Sequence, residues 1–253
     1  MSRSFISYFL LAAGITSFLV RPASPLDPRT ARGTVTDIQQ HPYQLSLQRG
    51  LRHICGAVII SNKWVVTAAH CVGSPASAYG LRAGSNDKYD GGVYYPVKKI
   101  VRHPAYNFLT IDYDIALLEI DGEITFNDRA QPVKLPKREL EGGVMVNVTG
   151  WGAAEMGGKL SPVLMKVSLP IVSRKTCQNI YKRFRSITDR MICAGYMQGG
   201  QDACDGDSGG PLTADGVLYG IVSWGYQCAE PFHPGVYTNV ADLLWWIKWI
   251  SHI

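Results

Sequence analysis

Three short segments of the chain contain residue types that can together carry out nucleophilic catalysis. They are Thr67-Ala68-Ala69-His70-Cys71, Asp112-Tyr113-Asp114-Ile115-Ala116-Leu117-Leu118 and Gly206-Asp207-Ser208-Gly209-Gly210-Pro211. A serine hydroxyl is a poor nucleophile at neutral pH, but a neighbouring imidazole can take its proton and later return it to a leaving group. A buried carboxylate can hold that imidazole in the required tautomer. Taken singly, each segment has a simpler interpretation: a core histidine, a strand-capping aspartate and a glycine-rich turn.

The order of these segments resembles the trypsin-like serine protease family, and the resemblance covers nearly all of residues 30–253. Other matching segments are Pro42-Tyr43-Gln44-Leu45-Ser46-Leu47, Thr149-Gly150-Trp151-Gly152, Asp202 to Pro211, Ser223-Trp224-Gly225 and Pro234-Gly235-Val236-Tyr237. The resemblance implies a serine endopeptidase that works through an acyl-enzyme, without a cofactor. It implies Ser208 as the nucleophile, His70 as the acid–base and Asp114 as the group that orients His70.

The resemblance also assigns residues around this triad. The backbone N–H groups of Gly206 and Ser208 match the donors that stabilise the oxyanion of the tetrahedral intermediate. Ser223 matches the serine that hydrogen-bonds the aspartate, here Asp114. Asp112, two residues earlier, is expected to face solvent.

Asp202 matches the residue at the base of the family's primary specificity pocket. A buried, unpaired carboxylate is costly, so an acidic pocket favours the cationic side chains of Arg and Lys. Ala203 stands where many relatives carry Ser, and we therefore expect Arg to be preferred over Lys. The resemblance further implies that the pocket is lined by Trp224, Gly225 and Gly235, the two glycines leaving room for a long side chain.

Two residues at the pocket mouth differ from the usual pattern. Asp205 replaces a Gln, and this extra acid should favour basic residues beside the scissile bond. Gln227 replaces a Gly, which should narrow access to the pocket.

The elements that must position these residues are mostly short β-strands bounded by Gly, Pro, Asn or Asp. The predicted strands are Gln44–Gln48, Ala57–Ser61, Val93–His103, Ile115–Ile120, Val144–Gly150, Val163–Val172, Val217–Trp224 and Val236–Val240. Asp215-Gly216 predicts a hairpin turn. Ser173 is predicted to cap a short helix to about Tyr181, and helical spacing of apolar residues predicts a second helix over Asp242–Ile250, packed on the body of the domain. This pattern indicates an all-β fold; the resemblance implies two packed antiparallel six-stranded β-barrels, about 30–138 and 139–253, with a C-terminal α-helix.

The six cysteines are even in number, which fits three disulfides, although six cysteines allow 15 connectivities. The resemblance implies the pairs Cys55–Cys71, Cys177–Cys193 and Cys204–Cys228. A zinc site built from His53, Cys55, His70 and Cys71 is the competing interpretation, but these spacings match no zinc pattern. The loop Gly84–Gly92 lacks the paired Glu residues of calcium-binding relatives, so we expect no metal.

The N-terminus has the layout of a secretory signal peptide. Arg3 precedes an uncharged run from Phe5 to Val20, which is rather short for a membrane span of about 20 apolar residues. We therefore expect a signal peptide over residues 1–23, a short propeptide over 24–29 and the protease domain over 30–253. An uncleaved membrane anchor is the alternative. Secretion into an oxidising compartment also fits the disulfides.

The charge distribution argues against a nucleic-acid role. The net charge of +5 is mild, and the nearest thing to a basic cluster, Lys182, Arg183 and Arg185, fits a solvated face. We expect a monomer that acts on protein or peptide substrates, with an activating protease and protein inhibitors as further partners. The sequence leaves the physiological role open and tilts toward a digestive enzyme.

The main departure from the family lies at the activation site. Relatives are cut after a basic residue to expose Ile-Val-Gly-Gly, whose new amine pairs with the Asp beside the nucleophile, here Asp207. The matching segment is Thr30-Ala31-Arg32-Gly33, preceded by Arg29. Three hypotheses follow: inefficient activation after Arg29, an inactive homologue that binds rather than cuts, or a sequence error at 30–32.

Overall fold

The structure is a computed structural model that describes residues 33–253. The predicted signal peptide, the propeptide and the activation residues Arg29 and Thr30 lie outside the described residues.

Two closed antiparallel barrels make up the described chain, as predicted. The first barrel joins its strands in the order β2-β3-β4-β7-β6-β5. Its strands are β2 (Gln44–Arg49), β3 (Arg52–Ile59), β4 (Trp64–Thr67), β5 (Tyr79–Ala83), β6 (Val93–Arg102) and β7 (Ala116–Ile120). Alternating apolar residues such as Leu45 and Leu47 point inward and are fully buried, because successive strand side chains face opposite sides of a sheet.

The second barrel closes when its first two strands pair with each other, completing the order β8-β9-β10-β13-β12-β11. Its strands are β8 (Met145–Gly150), β9 (Met165–Val172), β10 (Met191–Ala194), β11 (Pro211–Ala214), β12 (Val217–Trp224) and β13 (Gly235–Asn239). The two-residue strand β1 (Thr34–Val35) adds to the edge at β9. This strand ties the start of the described chain to the second barrel.

Two short helices complete the fold. Helix α1 (Arg174–Tyr181) begins as predicted, with the Ser173 hydroxyl accepting the Thr176 N–H at 3.2 Å. Helix α2 (Leu244–Ser251) begins two residues later than predicted and buries Trp246 and Ile247 in the core of the first barrel. Within residues 33–253, no helix is long and apolar enough to cross a bilayer.

Four strands were not predicted: β1, β4, β5 and β10. Strand β5 contains Gly80 and Arg82, which are not typical of a strand. A Cβ atom at Gly80 would collide with the Tyr94 hydroxyl oxygen, on the neighbouring strand β6 of the same barrel. The local sequence pattern around Gly80 does not contain this cross-strand contact.

Polar contacts join the two barrels along their interface. The Thr149 hydroxyl donates to the Gln44 side chain at 2.7 Å, and the Gly56 N–H donates to the Ser208 carbonyl at 2.8 Å. The second contact fixes the loop that contains Ser208 against β3 of the first barrel.

Candidate active site

His70 and Asp114 meet because their segments lie at the same end of two paired strands. His70 is in a 3-10 turn, Ala69–Cys71, directly after β4, and Asp114 precedes β7, the partner of β4. The His70 Nδ1 atom lies 2.7 Å from Asp114 Oδ2, and the His70 backbone N–H donates to Asp114 Oδ1 at 3.0 Å. Because an ionised carboxylate only accepts hydrogen bonds, the ring proton lies on Nδ1. The other nitrogen, Nε2, is then free to accept a proton.

The carboxylate of Asp114 is 1% exposed and well supplied with donors. Besides His70, the Ser223 hydroxyl donates to Oδ2 at 2.5 Å. The Thr238 hydroxyl, from β13 of the second barrel, donates to the Asp114 backbone carbonyl at 2.7 Å. Several donors offset the cost of burying a charge. Both barrels therefore fix Asp114.

Ser208 lies in a tight loop that packs against the segment leading to His70. Gly209 has a φ of +77°, and a Cβ atom there would collide with the Thr67 hydroxyl and crowd Ala68. Within the described residues, no hydrogen bond joins the Ser208 hydroxyl to His70 Nε2. Such bonds are often long or poorly aligned in enzymes without substrate.

The loop before Ser208 presents two backbone donors. Gly206 has a φ of +95°, which favours glycine. Among residues 33–253, neither the Gly206 N–H nor the Ser208 N–H has a hydrogen-bond acceptor. Free, neighbouring amides of this kind can stabilise a developing oxyanion.

Sequence reasoning missed the residue that holds this loop, His53. Its Nε2 lies 3.0 Å from the Gly206 carbonyl, and its Nδ1 lies 2.8 Å from the Ser46 hydroxyl. Burial lowers the pKa of His53 to about 4, so the ring is neutral near pH 7. A neutral ring that donates from Nε2 accepts at Nδ1, and Ser46 is therefore the donor there. The only sequence signal was a histidine inside an apolar strand.

A cavity of about 260 Å³ opens beside Ser208 and contains Asp202. Asp202 is 6% exposed and accepts the Ala203 N–H at 2.8 Å and the Ala229 N–H at 3.3 Å. Burial raises the pKa of Asp202 to about 7. A cationic side chain entering this cavity would favour the ionised carboxylate.

The walls of this cavity contain the other residues assigned to it from the sequence. They are Ala203, Ser223, Trp224, Gly225 and Gly235, with Asp205 and Gln227 also in the lining. A Cβ atom at Gly235 would lie 2.8 Å from Asp202 Oδ1, while one at Gly225 would have only the Gln227 carbonyl at 3.8 Å as a neighbour. Glycine is therefore required at 235 by Asp202 itself.

Asp207 lines a different cavity, of about 340 Å³, which also contains Gly33 and Asp202. Its carboxylate accepts the Gly152 N–H at 2.8 Å and the Cys204 N–H at 3.1 Å. Burial raises the pKa of Asp207 to about 6. Burial disfavours the ionised form of this carboxylate. A nearby ammonium group would offset this effect and stabilise the ionised form.

The prediction that Asp112 faces solvent was wrong. Its carboxylate accepts hydrogen bonds from Arg190 Nη2 at 2.7 Å and from the Thr188 hydroxyl at 2.9 Å. The Asp112 side chain is only 14% exposed. The cause is a cross-barrel contact, since Thr188 and Arg190 belong to the second barrel.

The cysteines form three disulfides, Cys55–Cys71, Cys177–Cys193 and Cys204–Cys228. The first consumes both thiolates that a zinc site with His53 and His70 would need. In the loop Gly84–Gly92, the buried Lys88 ammonium donates to the Ser161 carbonyl at 2.5 Å, and the Asn86 side chain accepts the Ile38 N–H at 2.7 Å. The loop thus uses its side chains to join neighbouring segments.

Two closed six-stranded barrels with a histidine–aspartate pair beside a serine loop define the class of double-barrel serine hydrolases. Comparisons with known proteins agree with this class. The family model described as Trypsin matches residues 31–247. The chain belongs to the trypsin family and is a serine endopeptidase.

Several insect relatives are similar over most of their length. Trypsin 5G1 of Aedes aegypti is 43% identical over 226 residues, covering 88% of this chain and 85% of that protein. Trypsin of Simulium vittatum is 43% identical over 243 residues, covering 92% and 98%. Vitellin-degrading protease of Bombyx mori is 41% identical over 230 residues, covering 89% and 87%. These similarities give no support to the hypothesis of an inactive, binding homologue.

Proposed function

We propose that this endopeptidase hydrolyses peptide bonds after Arg and, less efficiently, after Lys. The observation that carries the proposal is the buried carboxylate of Asp202 in the same cavity that Ser208 lines. A guanidinium or ammonium group can pair with Asp202, while apolar side chains would leave that carboxylate buried and unpaired.

In the proposed mechanism, Ser208 Oγ attacks the scissile carbonyl carbon and its proton passes to His70 Nε2. Asp114 holds the ring with its proton on Nδ1 and stabilises the imidazolium that forms. The N–H groups of Gly206 and Ser208 receive the oxyanion. His70 then gives its proton to the leaving amine, and a water molecule hydrolyses the acyl-enzyme by the same steps in reverse order.

The preference for Arg over Lys rests on Ala203. A lysine ammonium is shorter and more strongly hydrated than a guanidinium. Ala203 lines the cavity but has no side-chain hydroxyl with which to bind that ammonium or a water beside it. Arg can reach Asp202 with two parallel N–H donors, so the lack of a hydroxyl at residue 203 weakens the binding of Arg less than that of Lys.

We also propose secretion and activation by cleavage. Three disulfides fit an oxidising compartment, and the uncharged run near the N-terminus fits removal of residues 1–23. Cleavage after Arg29 by an activating protease would create an amine at Thr30, three residues before Gly33. Gly33 lines the cavity of Asp207, so a short segment can bring this amine to that carboxylate. The active product is a monomer that protein inhibitors can block.

The test uses the full chain, secreted, cut after Arg29 by an immobilised protease and separated from it. Matched peptide esters and amides with Arg, Lys, Gln or Leu before the scissile bond are compared by kcat/KM. We expect the order Arg, then Lys, with Gln and Leu lower by about a hundredfold or more. Ser208→Ala should lose activity by about 10³-fold or more and fail to react with a serine-directed phosphonate. Equal cleavage after Leu, or full activity in Ser208→Ala, would refute the proposal.

A further inference from the structure

The segment before Asp114 has a strained backbone. Ile111 has a φ of +53° and Tyr113 a φ of +55°. Left-handed conformations are unfavourable for side chains with a Cβ atom, and most of all for a β-branched residue. Each costs about 1–3 kcal/mol and persists only where surrounding contacts impose it. Because Tyr113 directly precedes Asp114, the contacts that impose this conformation also affect the position of Asp114.

Asp112, between the two strained residues, supplies those contacts. Its Oδ1 accepts the Tyr113 N–H at 2.9 Å and the Thr188 hydroxyl at 2.9 Å, and its Oδ2 accepts Arg190 Nη2 at 2.7 Å. Burial acts to raise the pKa of Asp112, but the donors on Arg190 and Thr188 outweigh it and hold the pKa below its usual value. The carboxylate thus stays ionised and bound to both its own segment and the other barrel.

Arg190 is itself held firmly. Its backbone carbonyl accepts the Asn239 N–H from the end of β13 at 2.8 Å. Its guanidinium carbon lies 4.7 Å from the centre of the Tyr113 ring, and that ring also stacks on the His103 ring, with 4.5 Å between the ring centres. Tyr113 is therefore confined by an arginine and a histidine.

We infer that the Asp112–Arg190 ion pair is a positioning device for Asp114. It holds residues 111–114 in the strained conformation that aims the Asp114 carboxylate at His70. Arg190 belongs to the second barrel, which also contains Ser208. The ion pair therefore helps to fix the position of His70 relative to Ser208. The inference rests on the proposed function, because that function gives Asp114 its role.

The experiment compares Asp112→Asn, Arg190→Gln and the double variant with the parent enzyme. Each single change should lower kcat by about tenfold to a hundredfold, because small misplacements of catalytic groups are costly. KM should stay within about twofold, since neither residue lines the Asp202 cavity. The double variant should be no worse than the worse single one, because both changes remove the same ion pair. Arg190→Lys and Asp112→Glu, which keep the charges and perturb folding least, should recover part of kcat.

Glu123→Gln is the matched control. It breaks another ion pair, that of Glu123 with Lys63 at 3.0 Å, without touching residues 107–115, Thr188 or Arg190. It should leave kcat near the parent value. Thermal unfolding of every variant establishes that it is folded.

A second measurement does not depend on turnover. The proton that joins His70 Nδ1 to Asp114 should give a low-field proton NMR signal, because it lies in a short hydrogen bond to a carboxylate. Asp112→Asn should move this signal upfield or abolish it, and Glu123→Gln should not. Unchanged kcat and an unchanged signal in both single variants would overturn the inference, as would an effect on KM alone. If the parent fails to turn over any substrate, the proposed function is wrong, and the NMR comparison still decides whether Asp112 positions Asp114.

Discussion

At the scale of single residues, Asp202 combines near-complete burial with two hydrogen bonds from within residues 33–253, both from backbone amides. Because burial raises its pKa to about 7, the carboxylate is largely protonated in mildly acidic solution. A cation binds only the ionised form, so below that pH the Asp202 carboxyl must lose its proton when the cation binds, which weakens binding.

We therefore predict that affinity for benzamidine, a cationic probe of such pockets, falls by about tenfold per pH unit below pH 7. Above pH 7 the affinity should be nearly constant. Calorimetric titration between pH 5 and 9 measures this without any turnover. Asp202→Asn keeps His70 and should bind weakly at every pH; a flat profile in the parent would contradict the prediction.

The triad, the pocket acid and the oxyanion glycine could be proposed from the sequence because short, distinctive segments contain them. His53 and Asp112 could not be assigned in the same way. Each acts through a partner far along the chain, Gly206 for His53 and Arg190 for Asp112. Neither partner can be inferred from the residues around His53 or Asp112.

At the scale of elements, the disulfide Cys204–Cys228 joins two segments that line the Asp202 cavity. The other disulfide of the second barrel, Cys177–Cys193, lies in an apolar cluster with Tyr181 and Ile187, and neither of its cysteines lines that cavity. The two bridges therefore differ in position relative to the cavity, although both close short loops.

Replacing both Cys204 and Cys228 with Ser should raise KM for Arg substrates several-fold more than it lowers kcat. Each bridge should contribute about 2–4 kcal/mol to the free energy of unfolding. Replacing both Cys177 and Cys193 with Ser is the control, with a similar loss of stability and a much smaller change in KM. Steady-state kinetics and thermal unfolding provide the comparison, and equal KM effects in the two variants would count against it.

The sequence predicted most strands of both barrels, because β-branched and aromatic residues alternate between turn residues. It missed β1, β4, β5 and β10, and it shifted several strand ends by one or more residues. The four missed strands are two to five residues long and are held mainly by their neighbours. Barrel closure itself came from the resemblance, since local patterns do not specify which strands pair.

At the scale of the whole molecule, the proposed activation would depend on how well the new N-terminus fits the cavity of Asp207. Thr and Ala have smaller apolar side chains than the Ile and Val that the family resemblance implies at residues 30 and 31, so inserting them would bury less apolar surface. The loss amounts to about 2–3 kcal/mol at about 0.8 kcal/mol per methylene. Cleavage after Arg32 instead would leave the terminus about 10 Å short.

We predict that Thr30→Ile, Ala31→Val and Arg32→Gly together increase the fraction of molecules with a titratable Ser208. The reason is that more apolar burial favours insertion of the terminus. N-terminal sequencing with active-site titration measures cleavage and activity separately. Adding Asp207→Asn should cancel the gain, and an unchanged titratable fraction after complete cleavage would refute the prediction.

The contact between Gly56 and Ser208 joins the two barrels, and it therefore bears on how the enzyme would lose activity when its chain is cut or partly unfolded. The proposed acid–base pair, His70 with Asp114, and the proposed nucleophile, Ser208, belong to different barrels, so neither barrel alone would contain all three residues. A cut in the chain or a partial unfolding that separates the barrels would abolish peptidase activity before either barrel is degraded. Proteolytic damage would thus yield inactive fragments rather than a fragment that still cleaves peptides.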